Sequence, residues 1–324
     1  MSRPGSVLAR RITWASSKQT YLTAVLLADR DLVDDCLRAY AYFRWADDMI
    51  DLGQLDLAGR SAFIRRQTSL IDQLYRREVV EDLCPEELML AELIAHDCAK
   101  NSGLHSFITN FMAVIAFDAD RQGRSITREE LSSYTNNLAT AVMDGIQYFI
   151  GNGQPYPKTC DRTMAVTGAH IAHMLRDTQE DLSAGILNAP REFLGTCGGG
   201  LYVMDRARFP VWVQQRVEQA RACFQAGHTY IDSLDVLRCK LAGSWYCARF
   251  ECILDAIERD GYQLREDYPE RHCLHAWMKM LELGFVLVVN HLSKRMRRPW
   301  FRPSPQVVLA AKVSVPPGRA KWLP

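Results

Sequence analysis

The sequence has no excess of charge of either sign. Its 324 residues include 39 Lys and Arg and 38 Asp and Glu, so the formal net charge is +1. A protein that binds nucleic acid usually carries a strong basic excess on the surface that meets the phosphates. We therefore expect no nucleic-acid partner. Because 48% of the residues are hydrophobic, the chain can bury a substantial core, and disorder is not expected.

Cysteine pairs and long apolar runs are also missing. None of the ten cysteines stands in a CxxC pair, so free thiols are expected rather than a disulfide framework or a zinc site. Arg10 and Arg11 follow Leu8 where a signal peptide would carry its apolar region. The longest apolar runs, residues 111–117 and 283–289, are far shorter than the roughly 20 residues that cross a bilayer. These absences favour a cytoplasmic protein.

Proline is scarce until the C-terminal end. None lies between Pro4 and Pro85 or between Pro85 and Pro155, and apolar residues in these stretches recur every three or four positions. This spacing is typical of amphipathic helices, which a proline would interrupt. The sequence therefore predicts an all-α fold. Later helices are expected over residues 210–241, 244–259 and 271–296.

Residues 291–324 differ in composition from the rest. They contain eight basic residues, no acidic residue and six of the 13 prolines, whereas residues 1–290 hold 31 basic and 38 acidic residues. We interpret 1–290 as one helical domain and 291–324 as a basic, proline-rich tail. The tail also contains Trp300, Phe301 and Trp322, and this mixture suits contact with an anionic membrane surface. A peripheral membrane contact and a solvated chain end are both open for this segment.

Two short acidic segments stand out within the helical part. Each has two Asp residues four positions apart, which lie on one face of a helix, and an arginine nearby. They are the first aspartate box, Asp47, Asp48 and Asp51 with Arg44, and the second aspartate box, Asp177 and Asp181 with Arg176. A single pattern of this kind is usually a solvated helix end. Two of them, each after an apolar helical run where carboxylates are costly to bury, favour a shared function.

Paired boxes of this kind suit the departure of a diphosphate. Carboxylate oxygens are preferred ligands of Mg²⁺, which keeps positions open for phosphate oxygens, and arginine donates paired hydrogen bonds to the same group. Neutralising the leaving group lets a carbon–oxygen bond ionise, and an apolar cavity keeps water from the resulting cation. We therefore expect Mg²⁺ as the cofactor, with Mn²⁺ as a substitute. No G-x-G-x-x-G stretch is present, so NADPH is not expected.

The motifs around these boxes resemble, in chain order, those of the squalene/phytoene synthase family, all-α enzymes that join isoprenoid diphosphates. The resemblance runs from about Ser17 to Leu264. It is carried by Ser17-Lys18 with Tyr21, Tyr40-Ala41 and the first box, residues 120–127 with Glu130, Leu131 and Tyr134, the second box with Glu180, Gly185 and Pro190, and residues 253–262. It implies an isoprenoid-synthase-like helical domain of the head-to-head type, with a central cavity between the two boxes.

The resemblance also implies roles for individual residues. The implied metal ligands are Asp47, Asp48, Asp51, Asp177 and Asp181, and the implied diphosphate ligands are Ser17, Lys18, Arg44 and Arg176. Asp47, Asp51, Asp177 and Asp181, with Tyr40 and Tyr134, are the implied catalytic residues. The default reaction is the head-to-head condensation of two farnesyl or geranylgeranyl diphosphates to a squalene- or phytoene-like product, with release of pyrophosphate. Terpenoid or carotenoid biosynthesis would be its setting.

Several residues depart from the family pattern. His170 and His173 stand where the family usually has Gln and Asn, and Thr140 and Met143 stand where it commonly has two glycines. The larger side chains leave less room for two long chains, and a neutral imidazole can accept a proton that an amide cannot. An alternative function is therefore transfer of a prenyl group to an aromatic or other small-molecule acceptor, with His170 or His173 as catalytic base. A non-enzymatic helical scaffold with acidic surface patches is the third interpretation.

Overall fold

The chain folds as a succession of α-helices joined by short connections. The computed structural model describes residues 4–51, 55–97, 102–183, 186, 188–190, 194–196, 202–204, 208–272 and 274–297. The helices are α1 Pro4–Ser16, α2 Lys18–Leu27, α3 Val33–Asp51, α4 Leu57–Tyr75, α5 Pro85–Ala95, α6 Gly103–Arg121, α7 Arg128–Ile150, α8 Met164–Ser183, α9 Phe209–Ser233, α10 Leu237–Arg259 and α11 Leu274–Arg297. The predicted all-α class is confirmed.

Short irregular elements connect some of these helices. Single 3₁₀ turns lie at Arg30–Leu32, Cys160–Thr163 and Pro269–His272. Between α8 and α9, strand β1 (Leu194–Thr196) pairs with β2 (Tyr202–Met204) in an antiparallel ladder. The sequence did not predict this hairpin, because three-residue strands are too short to show a clear alternation of apolar and polar residues.

The boundary between α9 and α10 differs from the prediction. A single helix was expected over residues 210–241, but α9 ends at Ser233 and α10 begins at Leu237, so Gly243 lies inside a helix. A Cβ atom at Gly243 would lie only 2.9 Å from Cδ1 of Ile231 on α9. This glycine therefore permits close packing of two helices and does not end one.

The helices pack in two groups around the two aspartate boxes. Helix α6 packs on α7, α3 packs on α1 and α5, and a large apolar cluster around Tyr42 and Ile108 lies among them. Helix α8 packs on α9 and α10 around a second cluster that includes Leu175 and Phe224. A smaller cluster around Val114 and residues of α7 and α8 joins the groups. This packing brings the C-terminal ends of α3, α6 and α8 close together.

The start of α7 is set by its own sequence. Thr127 Oγ1 accepts a hydrogen bond from the backbone N–H of Glu130 at 3.1 Å, and Glu130 Oε2 accepts one from the N–H of Thr127 at 2.7 Å. This reciprocal capping box is a strong signal for a helix N-terminus. It places Tyr134, nearly two turns later, on the buried face of α7.

Helix α11 continues through residue 290, where the predicted domain ends, as far as Arg297. The tail beyond Arg297, with Trp300, Phe301 and Trp322, lies outside the described residues, as does Gly185. The division into domain and tail stays a prediction. No disulfide joins the cysteines in the described part of the chain. None of the described helices is long and apolar enough to cross a membrane.

The packing of α8 on α9 generates a stability prediction at Gly227. A Cβ atom at this position would lie 2.6 Å from the backbone N and Cα of Ala165, so a methyl group does not fit without moving a helix. Ala normally favours a helix over Gly by about 1 kcal/mol. We nevertheless expect Gly227→Ala to lower the free energy of unfolding, because overpacking of a rigid core costs about 1–3 kcal/mol.

Urea unfolding measures this effect, and Gln225→Ala on the exposed side of the same helix is the matched control. The control is expected to change stability by less than about 0.5 kcal/mol. A Gly227→Ala variant that is more stable than the wild type would contradict the close α8–α9 contact.

Candidate active site

Both aspartate boxes lie at helix C-termini, where negative charge is unfavourable. The C-terminal end of a helix carries about half a negative charge, so acidic side chains there are destabilised and basic ones are favoured. Yet α3 ends on the first box, α8 ends just beyond the second, and neither helix has a basic residue in its last turn. Helix formation alone does not explain this arrangement. A cation at the site would.

In the first box Arg44 contacts two of the three carboxylates. Arg44 donates a hydrogen bond to Asp47 at 3.4 Å and another to Asp48. Burial, reinforced by Asp51 and by the nearby Asp118, raises the pKa of Asp47 to about 7. Burial also raises the pKa of Asp51. One arginine therefore does not neutralise this box.

The two carboxylates of the second box have different partners. Asp177 accepts two hydrogen bonds from Arg176 and lies 2.8 Å from Nε2 of His173. Burial alone would raise the pKa of Asp177, but these two partners lower it well below its usual range. Asp181 accepts a hydrogen bond from the amide of Asn188, and burial raises its pKa.

Two residues of α6, Asp118 and Arg121, connect the boxes. Arg121 forms an ion pair with Asp118 at 2.7 Å and donates a hydrogen bond to Asn188 at 2.8 Å. Its positive charge also acts on Asp51 of the first box and on Asp181 of the second. Burial raises the pKa of Asp118 to about 6, although Arg121 partly offsets this. The two boxes thus face a common region, with Arg121 between them.

Tyr134 and His170 extend this network into α7 and α8. The Tyr134 hydroxyl donates to Asp118 Oδ2 at 3.1 Å, and the guanidinium of Arg121 lies 5.1 Å from the centre of its ring. The His170 ring packs edge-on against Tyr134, and its Nδ1 lies 3.1 Å from the hydroxyl of Thr135. Burial lowers the pKa of His170 to about 3, so this side chain is neutral. Tyr134 thus lies next to Asp118 and Arg121, and His170 is a buried packing neighbour of it.

Of the two residues predicted to bind diphosphate at the start of α2, one lies near the first box and the other does not. Ser17 caps α2 by accepting a hydrogen bond from the N–H of Thr20 at 3.2 Å. Hydrogen bonds from Ser17 and Thr20 and the charge of Arg44 act on Tyr40, whose pKa is raised by burial. Lys18 instead lies over the ring of Trp14, 5.7 Å from its centre. Ser17 and Tyr40 therefore lie near the first box, whereas Lys18 has its described contact with Trp14.

Three residues near the boxes were not predicted from the sequence. Arg121 falls within the central segment 120–127, but no role was assigned to it, and Asp118 lies just before that segment. Arg249 on α10 acts electrostatically on Tyr40. Each is a single charged residue on a helix, and a sequence pattern does not distinguish it from surface charge. The signal that could have found Asp118 and Arg121 is their i, i+3 spacing on an otherwise apolar helix.

The described carboxylates fit a divalent cation only if a bound ligand supplies further oxygen atoms. No three His, Cys, Asp or Glu side chains in the described part of the chain converge as a preformed metal site. Mg²⁺ is commonly held by one or two carboxylates together with substrate phosphates, and it prefers oxygen ligands. The raised pKa of Asp47 and of Asp181 indicates negative charge that the protein leaves uncompensated. These residues fit Mg²⁺ provided that a bound diphosphate supplies the remaining oxygens.

Comparison with known proteins identifies the family of this chain. The family model described as squalene/phytoene synthase matches residues 15–277. The chain belongs to the squalene/phytoene synthase family. Membership places it among prenyltransferase-type enzymes of isoprenoid biosynthesis, whose substrates are isoprenyl diphosphates. Among curated proteins, none matches the chain.

Two solved structures share the fold. Squalene synthase HpnC from Alicyclobacillus acidocaldarius is 19% identical, with a TM-score of 0.61, and the alignment covers 81% of this chain and 95% of that one. TcSQS, solved with the ligand BPH1237, is 13% identical, with a TM-score of 0.55 and coverage of 92% and 94%. At such low identity these similarities establish the fold, and the residues of this family member must be judged from its own geometry.

The raised pKa of Asp47 predicts how the stability of the metal-free chain depends on pH. The folded chain holds this proton up to about pH 7, whereas the unfolded chain releases it near the ordinary pKa of 3.8. The stability that the protonated Asp47 contributes is therefore fully present below about pH 4, and it is lost as the pH rises to about 7. In EDTA at about pH 7.5, Asp47→Asn should be more stable than the wild type by about 1 kcal/mol, a figure reduced for solvent screening.

Urea unfolding at about pH 4 and pH 7.5 measures this difference, which should vanish at the lower pH. Asp72→Asn, at an exposed position on α4, is the matched control. It should leave the free energy of unfolding unchanged at both pH values. An Asp47→Asn variant that is less stable than the wild type at the higher pH would show that the carboxylate is stabilised by its surroundings.

Proposed function

We propose that the chain is an Mg²⁺-dependent prenyltransferase that ionises an isoprenyl diphosphate between the two aspartate boxes. Its default reaction is the head-to-head condensation of two farnesyl or two geranylgeranyl diphosphates. The observation that supports this most strongly is the position of Arg121, whose charge acts on a carboxylate from each box. Two acidic boxes that share one arginine form a region that a cation and a diphosphate could fill together.

In this proposal the carboxylates with raised pKa hold the cation. Asp47 and Asp51 would do so from α3 and Asp181 from α8, and bound Mg²⁺ would supply the Lewis-acid chemistry that assists the leaving diphosphate. Arg44 and Arg176 now bind carboxylates of their own boxes. Both carry the planar donor set that diphosphate oxygens accept. We infer that they bind the diphosphate when it arrives, which also frees Asp177 and Asp48.

Aromatic side chains beside the boxes suit the carbocation that such a reaction forms. The rings of Phe117 and Tyr134 lie 5.0 Å apart next to Asp118, and Tyr246 and Phe250 on α10 lie 5.2 Å apart. Aromatic faces attract a cation and also exclude water from it. Met143 is buried among residues of α8, α9 and α10, beside a void of only about 10 Å³. This larger side chain therefore reduces the space on that side of α7.

The histidines give the alternative reaction little support. A base must take up a proton near neutral pH, but burial lowers the pKa of His170 to about 3. His173 is 48% exposed and lies 2.8 Å from Asp177, an aspartate that the proposal assigns to the diphosphate site. Transfer to an aromatic or other small-molecule acceptor stays a prediction, with His173 the more accessible of its two candidate bases.

The first test is release of pyrophosphate from farnesyl or geranylgeranyl diphosphate. Release should require Mg²⁺, and Asp47→Asn or Asp177→Asn should slow it about 100-fold or more, because each change removes a preorganised charge at the leaving group. Asp72→Asn should retain the wild-type rate. Losses below about threefold in both box variants, or no release under any condition, would contradict the proposed function.

The second test identifies the product by mass spectrometry. Head-to-head condensation without a reductant predicts a phytoene-like hydrocarbon with twice the carbon atoms of the substrate, formed with release of two pyrophosphates and one proton and with no other organic compound present. His173→Asn should leave this activity within about threefold of the wild type, because in this reaction the imidazole only pairs with Asp177. Activity that appears only after an aromatic compound is added would favour the alternative and contradict the default reaction.

A further inference from the structure

A second cavity lies apart from the aspartate boxes, at the other end of α8. It has a volume of about 460 Å³ and lies between the N-terminal halves of α7, α8 and α9 as counted along the sequence of each helix. Thr167 and Ile171 of α8 form one side of it, with Thr163 of the preceding 3₁₀ turn. Ser132 and Asn136 of α7 and Arg216 of α9 lie around it. No residue of either aspartate box lines it. We call it the α7–α9 cavity, and its volume lies in the range of small-molecule binding sites.

The charge around the α7–α9 cavity is entirely positive among the described residues that line it. Arg128 of α7 and Arg216 of α9 are basic, and no described Asp or Glu side chain is part of the lining. Arg216 is half-buried and donates a hydrogen bond to the amide oxygen of Gln219 at 2.7 Å. An amide satisfies the donor but does not neutralise the charge, and a guanidinium withdrawn from water favours an anionic partner.

Other features of the cavity agree with an anionic ligand. Burial lowers the pKa of Arg216 to about 10, which is the effect of desolvation without a carboxylate. Hydroxyl and amide groups, including Ser132, Asn136 and Gln215, supply further hydrogen bonds.

The lining also contains an apolar part. Leu131, Met164, Ile171 and Trp212 lie on the same cavity as the polar groups, so part of a bound molecule would contact hydrocarbon and an indole ring. An inorganic ion would leave that surface and most of the volume unused. The Arg216 guanidinium with several neutral donors also provides more hydrogen bonds than the two oxygens of a carboxylate accept in bidentate form. The combination suits a phosphate group attached to an apolar or aromatic body.

We propose that the α7–α9 cavity binds a small organic phosphate at a site separate from the diphosphate site between the aspartate boxes. Arg216 pairs with the phosphate, the hydroxyl and amide groups of α7 and α9 orient it, and the apolar body lies against Ile171 and Trp212. Binding requires no divalent cation, because no carboxylate in the lining needs one. This separates the site from the aspartate boxes, where a diphosphate binds with Mg²⁺.

Isothermal titration calorimetry in EDTA with phenyl phosphate tests the proposal on the full-length protein. Phenyl phosphate should bind to the wild type, and inorganic phosphate and phenylacetate should each bind more weakly. Arg216→Gln should weaken the binding of phenyl phosphate about tenfold or more, because it removes a charge-assisted hydrogen bond. Arg65→Gln, at an exposed position on α4, removes the same charge elsewhere and should have no effect.

A second variant keeps the test valid if Arg216→Gln impairs folding. Gln215→Glu at an exposed lining position adds a carboxylate of nearly the same shape, and it should weaken binding about threefold or more by repulsion. Asp177→Asn should leave the binding in EDTA unchanged. No binding by the wild type, binding that survives both cavity variants, or equal binding of phenylacetate or of inorganic phosphate would overturn the assignment.

Discussion

The rest of the structure depends on a concentration of negative charge at the C-terminal ends of α3 and α8. These carboxylates are partly removed from water, close to one another and at the unfavourable ends of helix dipoles. Each of these three conditions raises the free energy of the ionised form. Burial is the main cause of the raised pKa values of Asp47, Asp51 and Asp181 and of Asp118 on α6, and a neighbouring carboxylate adds to each. A family member that keeps such an arrangement is organised for a positively charged partner.

The arginines of the site partly neutralise this negative charge. Arg44 and Arg176 bind the carboxylates beside them in sequence, and Arg121 lies between the two boxes on a third helix. These three arginines do not neutralise all of the carboxylates, because four carboxyl groups still have raised pKa values. We infer that the ligand-free protein holds its diphosphate-binding arginines in temporary ion pairs. Cation and diphosphate would exchange these pairs for new ones without a net burial of charge.

The parts of the site that could be predicted from the sequence are those with a local pattern. The i, i+4 spacing in each box and the capping box at Thr127 depend on a few neighbouring residues, and all of them lie where the pattern places them. Asp118 and Arg121 matter because of what packs against α6, which no local pattern records. Gly243 shows the same limit for the fold, since a glycine that admits a neighbouring helix looks like one that ends a helix. The α7–α9 cavity forms only when three helices pack together, so no pattern in the sequence predicts it.

The central claim is that both boxes bind one Mg²⁺-diphosphate unit together. Calorimetric titration of inorganic pyrophosphate, with and without Mg²⁺, measures this directly on the wild type and on Asp51→Asn and Asp181→Asn. The account predicts a Mg²⁺-dependent part of the binding that falls about tenfold or more in either variant, because each removes one side of a shared site. Full Mg²⁺-dependent affinity after the loss of either carboxylate would contradict it.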